Sequence, residues 1–157
     1  MTLPSRVDHP SLPYVLSFDP ADLDFARMHP WYAEEAYWCK GIALEKLTRA
    51  FLNSLSVGLY EKAVSGLRQV GAARAITDRA TFAYLADVFL ATEARGQGLG
   101  EWMVATLLAH PDLADQRRQL LATADMHALY AKFGFKDLSK PEILMEKVSA
   151  ALKAALT

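Results

Sequence analysis

Tyr84-Leu85-Ala86-Asp87-Val88-Phe89-Leu90-Ala91-Thr92-Glu93-Ala94-Arg95-Gly96-Gln97-Gly98-Leu99-Gly100 passes from an apolar, aromatic and β-branched run through a glycine-rich turn into a helix. The helix is marked by Leu99, Trp102, Met103, Thr106, Leu107 and His110, which recur at i, i+3 and i+4 as one amphipathic stripe. Pro111 ends it. Backbone N–H groups at such a turn point outward, and the helix dipole adds positive potential. Glycine lets a ligand come close because no Cβ intervenes. Strand, turn and helix together make an anion site suited to a phosphate, with the Arg95 guanidinium at its rim. A dinucleotide fingerprint would need a third glycine where Glu101 stands, and no G-x-x-x-x-G-K-S/T run exists; both nucleotide motifs fail on spacing.

On the N-terminal side, residues 1–11 carry Pro4 and Pro10 and are expected to be irregular. Tyr14–Phe18 reads as a strand. Asp19-Pro20 is a helix start, with an acceptor at the cap and proline in the first turn, and a short helix should reach Met28. Pro30 breaks it; a second helix covers Trp31–Cys39 and stops at Gly41. Ile42–Leu52 has a third helical period. Leu55–Glu61 and Leu67–Thr77 read as strands around a Ser65-Gly66 turn, and Thr81–Leu90 as another. On the C-terminal side, Leu120–Thr123 is a short strand and Asp125–Phe133 a short helix. Phe135–Leu138 and Ile143–Val148 are expected as the last two strands, followed by a tail or short helix over 149–157. The order gives an α+β (mixed α/β) domain over residues 12–148, with helices packed on a central sheet.

The 157 residues suit one domain with a real core. Seventeen basic and eighteen acidic residues leave a net charge of −1, which supplies no electrostatic footprint for nucleic acid or for a membrane surface. No apolar run approaches the roughly 20 residues that span a bilayer, and Met1–Arg6 has no apolar signal core, so a cytoplasmic location is expected. Cys39 is the sole cysteine; it can form neither an internal disulfide nor a thiolate metal cluster. His9, His29, His110 and His127 have no metal-ligand spacing, and no metal is expected.

Arg95-x-x-Gly98-x-Gly100 resembles the acetyl-CoA signature of the GNAT superfamily of N-acetyltransferases, R/Q-x-x-G-x-G/A. Its setting between the strand Ala86–Leu90 and an amphipathic helix matches too, with Thr92 where that family often has proline. Met126-His127-Ala128-Leu129-Tyr130-Ala131-Lys132-Phe133-Gly134-Phe135 resembles the second signature of the family, a helix with tyrosine before a Gly-Phe strand start. The resemblance covers about residues 12–148 and is strongest over 81–135. It implies a GNAT fold: a central, mixed, mostly antiparallel sheet of six to seven strands flanked by about four helices. It also implies acetyl transfer from acetyl-CoA to an amine, small-molecule or peptide, with no nucleic acid partner. A homodimer is a family habit that no residue pattern here demonstrates.

The resemblance assigns cofactor contacts to Val88, Phe89 and Leu90 on the strand and to Arg95, Gly96, Gln97, Gly98, Leu99 and Gly100 in the turn. Tyr130 matches the tyrosine that protonates the departing thiolate; its helical stripe with Met126, Leu129 and Phe133 equally suits a core position. Asp87 is the candidate base. It lies among Leu85, Val88, Phe89 and Leu90 on a strand that looks covered on both faces, where a carboxylate is costly unless paired or used. A structural partnership with Arg79 or another base is the alternative. Related amine acetyltransferases can show two adjacent acids here, and Ala86 replaces the first. Trp31, Glu34, Glu35 and Trp38 could receive a cationic amine through aromatic and carboxylate contacts, or simply pack an amphipathic helix. A non-catalytic acyl-CoA-binding module on the same fold is the competing reading.

Overall fold

The computed structural model describes residues 3–157. The chain divides into two units, one ending at Ala124 and one spanning Asp125–Thr157.

The first unit is built on a six-stranded sheet in sequential order: β1 (Arg6–Asp8), β2 (Tyr14–Ser17), β3 (Leu55–Ala63), β4 (Gly66–Thr77), β5 (Phe82–Leu90) and β6 (Arg118–Leu121). Every neighbouring pair is antiparallel except β5–β6, which is parallel. The parallel pair needs a crossover, supplied by α3 (Leu99–Leu108) and the short α4 (Pro111–Ala114). α1 (Phe25–Pro30) and α2 (Leu44–Leu52) precede β3. Leu55–Tyr60 on β3 and Gln69–Ala73 on β4 are buried without interruption, the pattern of strands covered on both faces.

Two adjacent residues of β5 show what covers each face. Phe89 packs on Trp31 and Tyr32, with ring centroids 5.7 and 5.6 Å away. Leu90 packs on Gly100, whose added Cβ would lie 3.3 Å from it. Successive strand side chains point to opposite faces, so the α1 side and α3 lie on opposite faces. Phe51 of α2 meets Tyr32 at 5.6 Å and Phe25 at 6.4 Å, which puts α2 on the α1 face. Tyr32, Phe51, Met103 and Leu107 are fully buried; side chains of this kind each stabilise by roughly 1.5–3 kcal/mol.

Several expectations change. In the segment expected to be irregular, the first two residues lie outside the described part, and Arg6–Asp8 form an edge strand. Arg6 grips the Asp22 carboxylate through Nε and Nη2, and Asp8 pairs with Lys62 of β3, so charges hold a strand that lacks an apolar pattern. The helix at Asp19-Pro20 is one 3-10 turn, Pro20–Asp22, and a new cap, Asp24, starts α1. Pro30 closes α1 without a break; the chain continues as a π-helical turn, Trp31–Glu35, and no helix extends to Cys39. Proline lacks the N–H that the α ladder would use, and the register widens there. The β3–β4 hairpin turns at Val64-Ser65, since Ala63 pairs with Gly66.

The second unit holds α5 (His127–Ala131), a 3-10 turn at Pro141–Ile143 and α6 (Ala150–Leu156). Phe135–Leu138 and Ile143–Val148 form no strand. The tail is helical and capped by Ser149. Among the described residues there are thus six strands and six α-helical segments, against the expected six to seven strands and about four helices. No described helix is long and apolar enough to cross a membrane.

Candidate active site

The β5–β6 ladder runs from Phe82↔Arg118 to Leu85↔Leu121, where β6 ends. β5 continues for another five residues, Ala86–Leu90. On its other side β5 stays paired with β4 as far as Leu90↔Gly71. A strand edge beyond its ladder presents backbone N–H and C=O groups. The open edge therefore includes Val88, Phe89 and Leu90, three of the expected contacts, and ends at the glycine turn.

The turn begins with a 3-10 segment, Thr92–Ala94, and leads into α3 with Gly98 at its N-cap. Gly96 and Gly98 have φ of +79° and +77°, and a Cβ built on either meets nothing within 4 Å. Both glycines are thus required by backbone conformation, and the space above them is open. A helix start leaves its first N–H groups without intrahelical acceptors. Arg95, Gly96, Gln97, Gly98, Leu99 and Gly100 surround that start, which has the form of a phosphate cradle.

Arg95 curls back along the strand. Its Nε donates to the Leu90 carbonyl at 3.0 Å, its guanidinium lies 5.4 Å from the Phe89 ring centroid, and Nη2 is 3.8 Å from the Glu35 carboxylate. Glu35 thus sits over the end of the open edge. Glu34 is exposed beside it. Gln97 reaches Tyr14, its Nε2 donating to the phenol oxygen at 3.4 Å.

Asp87 sits in a β-bulge. Ala72 pairs with Phe89 and Arg74 with Ala86, so Asp87 and Val88 face Ala73 alone. Asp87 has φ +54°, left-handed backbone that aspartate tolerates better than most residues. Its carboxylate accepts from Arg74 Nε at 2.6 Å and from Trp38 Nε1 at 2.8 Å; its carbonyl accepts from the Tyr32 hydroxyl at 2.7 Å. Arg79, the partner weighed from sequence, pairs with Asp112 instead. Burial, with the Asp87 charge adding, holds the Tyr32 phenol far above its ordinary pKa, so it remains a donor. β5 is less covered than its composition suggests: only Ala83, Leu85 and Phe89 are buried.

The aromatic candidates separate. Trp31 is buried, stacked on Phe89 and capped by Arg27 at 5.9 Å. It is a wall of the core. Trp38 is 45% exposed, and Tyr37, set edge-on to it at 5.0 Å, is 57% exposed. The Tyr37 hydroxyl accepts from the Ala124 N–H at 3.2 Å. This loop therefore touches β5 at Asp87 and the chain just past β6 at Ala124. It spans the gap where the parallel strands diverge. Cys39 lies under it, its thiol donating to the Tyr32 carbonyl; burial foremost, then the Asp87 charge, pushes the thiol up to about 11.

Tyr130 belongs to the second unit, on α5, buried with its ring 6.1 Å from Phe135. Tyr32 and Tyr37 stand in the sequence as aromatics of the same N-terminal stretch as Trp31 and Trp38, whereas Arg74 is a site residue that the sequence did not single out. Arg74 carried a usable signal: an arginine inside Val70-Gly71-Ala72-Ala73-Arg74-Ala75-Ile76 needs an anionic partner once the strand is buried.

A family model described as the acetyltransferase (GNAT) domain matches residues 63–137. A Gibberella zeae protein, provisionally named an acetyltransferase, is 33% identical over 143 residues, 79% of this chain and 80% of that protein. A crystal structure from Xanthomonas campestris pv. campestris, provisionally named a GNAT acetyltransferase, is 41% identical with a TM-score of 0.82, over 90% of this chain and 98% of that one. A Clostridium acetobutylicum structure, provisionally named an acetyltransferase and described with acetyl-CoA, shares the fold at a TM-score of 0.55 and 18% identity, over 86% of this chain and 94% of that one.

Proposed function

The chain belongs to the GNAT family of acetyltransferases, and on that premise we propose that it moves an acetyl group from acetyl-CoA to a primary amine by direct transfer. The observation that carries the reading is the turn at Gly96 and Gly98. Two left-handed glycines under open space, at the start of α3 and the end of an unpaired strand edge, suit a pyrophosphate followed by an extended thioester arm. The acetyl-CoA described with the Clostridium relative supports the same donor.

In this reading the turn and the first N–H groups of α3 hold the pyrophosphate, with Arg95 exchanging Glu35 and the Leu90 carbonyl for a phosphate oxygen. N–H groups of the open edge around Val88–Leu90 bind the pantetheine arm and the thioester oxygen, stabilising the charge that develops there. The acceptor arrives as an ammonium, with a reference pKa near 10.4 for a lysine-type group, and attacks only after losing a proton. That proton leaves by way of water. The C–N bond forms, the C–S bond breaks, and the thiolate takes a proton, a role for which the family resemblance names the Tyr130 phenol, with solvent restoring the donor. No covalent enzyme intermediate is needed. Alignment of both substrates along one strand edge supplies much of the rate.

The test is a panel of primary amines, amino acids and peptides incubated with acetyl-CoA, scored by CoA release and by mass gain of one acetyl group on the acceptor. Enzyme-dependent release with matching acetylation supports the reading. Tight acetyl-CoA binding with no acceptor turned over would instead favour a binding module.

A further inference from the structure

We infer that Asp87 is a positioning residue: clamped by Arg74, it fixes the β5 bulge and seats Trp38 over the open strand edge, and it does not take the acceptor's proton. Its conformation is the first reason. A left-handed aspartate in a two-on-one bulge persists when its surroundings over-determine it, and a bulge re-aims the backbone that follows. Three donors do this here, from three separate places: Arg74 on β4, Trp38 on the loop, and Tyr32 on the π-helical turn.

The second reason is the state of the carboxylate. One oxygen faces the Arg74 guanidinium and the other the Trp38 indole N–H, and the side chains of Asp87 and Arg74 are only 10% and 15% exposed. Both oxygens are thus already committed to donors, and Asp87 is the counter-charge of a largely buried guanidinium. Arg74 is itself held in place, Nη1 donating to the Ser54 hydroxyl at 3.1 Å and its guanidinium 5.7 Å from the Phe51 ring. The chain of contacts runs Ser54, Arg74, Asp87, Trp38, and then through Tyr37 to Ala124. Asp87 thus links the bulge, at the start of the open edge, to the exposed aromatic pair that walls the gap between β5 and β6.

The kinetic part of the test rests on the acetyl-transfer reading; the spectroscopic part does not. Indole N–H resonances are recorded for wild type, Arg74→Met, Arg74→Lys, Asp87→Asn and Asp87→Ala, with Trp38→Phe to assign the Trp38 signal. Arg74→Met and Asp87→Ala are expected to displace that signal and Arg74→Lys to return it toward wild type. Using acetyl-CoA and an amine that releases CoA, Arg74→Met and Asp87→Ala should lower kcat by similar factors, about tenfold or more, and the double variant should lose no more than the worse single. Asp87→Asn should keep the midpoint of the rising limb of kcat/KM against pH. A rising limb lost in Asp87→Asn, or Arg74→Met turning over like wild type while Asp87→Ala is inactive, would overturn the inference. If Arg74→Met does not fold, Asp87→Ala carries the spectroscopic readout and Asp87→Asn the pH profile. If no amine is acetylated, the function fails separately, and an unmoved Trp38 signal in Asp87→Ala would still overturn the coupling.

Discussion

Gly71 lies directly against Leu90: a Cβ on Gly71 would come 2.8 Å from Leu90 Cδ2 and 2.9 Å from the Phe89 carbonyl. Here the central strand β4 presses on the last two residues of the open edge, just ahead of the turn. The backbone of β5 can lie this close only because residue 71 has no side chain. Gly71→Val should therefore push β5 outward. Overpacking of this kind costs about 1–3 kcal/mol, read by chemical denaturation. Acetyl-CoA affinity should fall with it. A variant destabilised to that degree that still binds acetyl-CoA like wild type would show that the site does not depend on this approach.

Removing the Tyr130 hydroxyl tests the proton donor. Tyr130→Phe should lower kcat by about a hundredfold, within the usual range for a general acid, with little change in acetyl-CoA affinity. Its ring packs on Phe135 in either form. Weakened acetyl-CoA binding with unchanged kcat would make Tyr130 a packing residue.

Cys39 offers a check on direct transfer. With its thiol held near 11 by burial, almost none of it is thiolate at neutral pH. Cys39→Ala should keep kcat within about twofold of wild type, and the wild-type thiol should react slowly with iodoacetamide at neutral pH. Loss of turnover in Cys39→Ala with intact acetyl-CoA binding would point to a covalent acyl-enzyme.

His110 should make stability depend on pH. It caps α4, its Nδ1 accepting from the Asp112 N–H at 3.2 Å, and it packs on Phe18. Burial, the largest influence, lowers its pKa below the ordinary 6.5 despite the opposing Asp112 charge. A depressed histidine pKa means that the unfolded chain binds the proton more readily. Stability is therefore lost as pH falls through about 6.5 and restored above it. His110→Asn keeps a capping acceptor without the titration. Its Tm should fall less than that of wild type between about pH 7.5 and 5.5. Equal falls would assign the pH dependence elsewhere.

What the sequence revealed was local. The strand, glycine turn and helix were legible because left-handed glycines and helical periodicity are written in consecutive residues, and φ at Gly96 and Gly98 agrees. Partner choice was not legible. Phe135–Leu138 and Ile143–Val148 have strand-like composition, yet a strand exists only with a ladder, and Pro141 starts a 3-10 turn between them. Arg6-Val7-Asp8 shows the converse, a strand with no apolar pattern, held by Asp22, Lys62 and the β2 backbone. The Asp87 site was half legible. Its apolar neighbours signalled that the carboxylate needed a partner, but choosing Arg74 over Arg79 required the β4–β5 register, set by the bulge between Ala72 and Arg74.

Acetyl-CoA held at the Gly96–Gly100 turn should raise the stability of the folded chain, and thermal unfolding with and without acetyl-CoA, on wild type and on Gly98→Trp, is the measurement to make. A ligand that binds only the folded state stabilises by about 2.7 kcal/mol at a hundredfold excess over Kd. The tryptophan side chain would enter open space above the turn, so it would block the ligand more than the fold, apart from roughly 1–2 kcal/mol of left-handed strain. A clear rise in Tm is expected for wild type and none for the folded variant. No rise in wild type at saturating acetyl-CoA, or an equal rise in both proteins, would contradict binding at this turn.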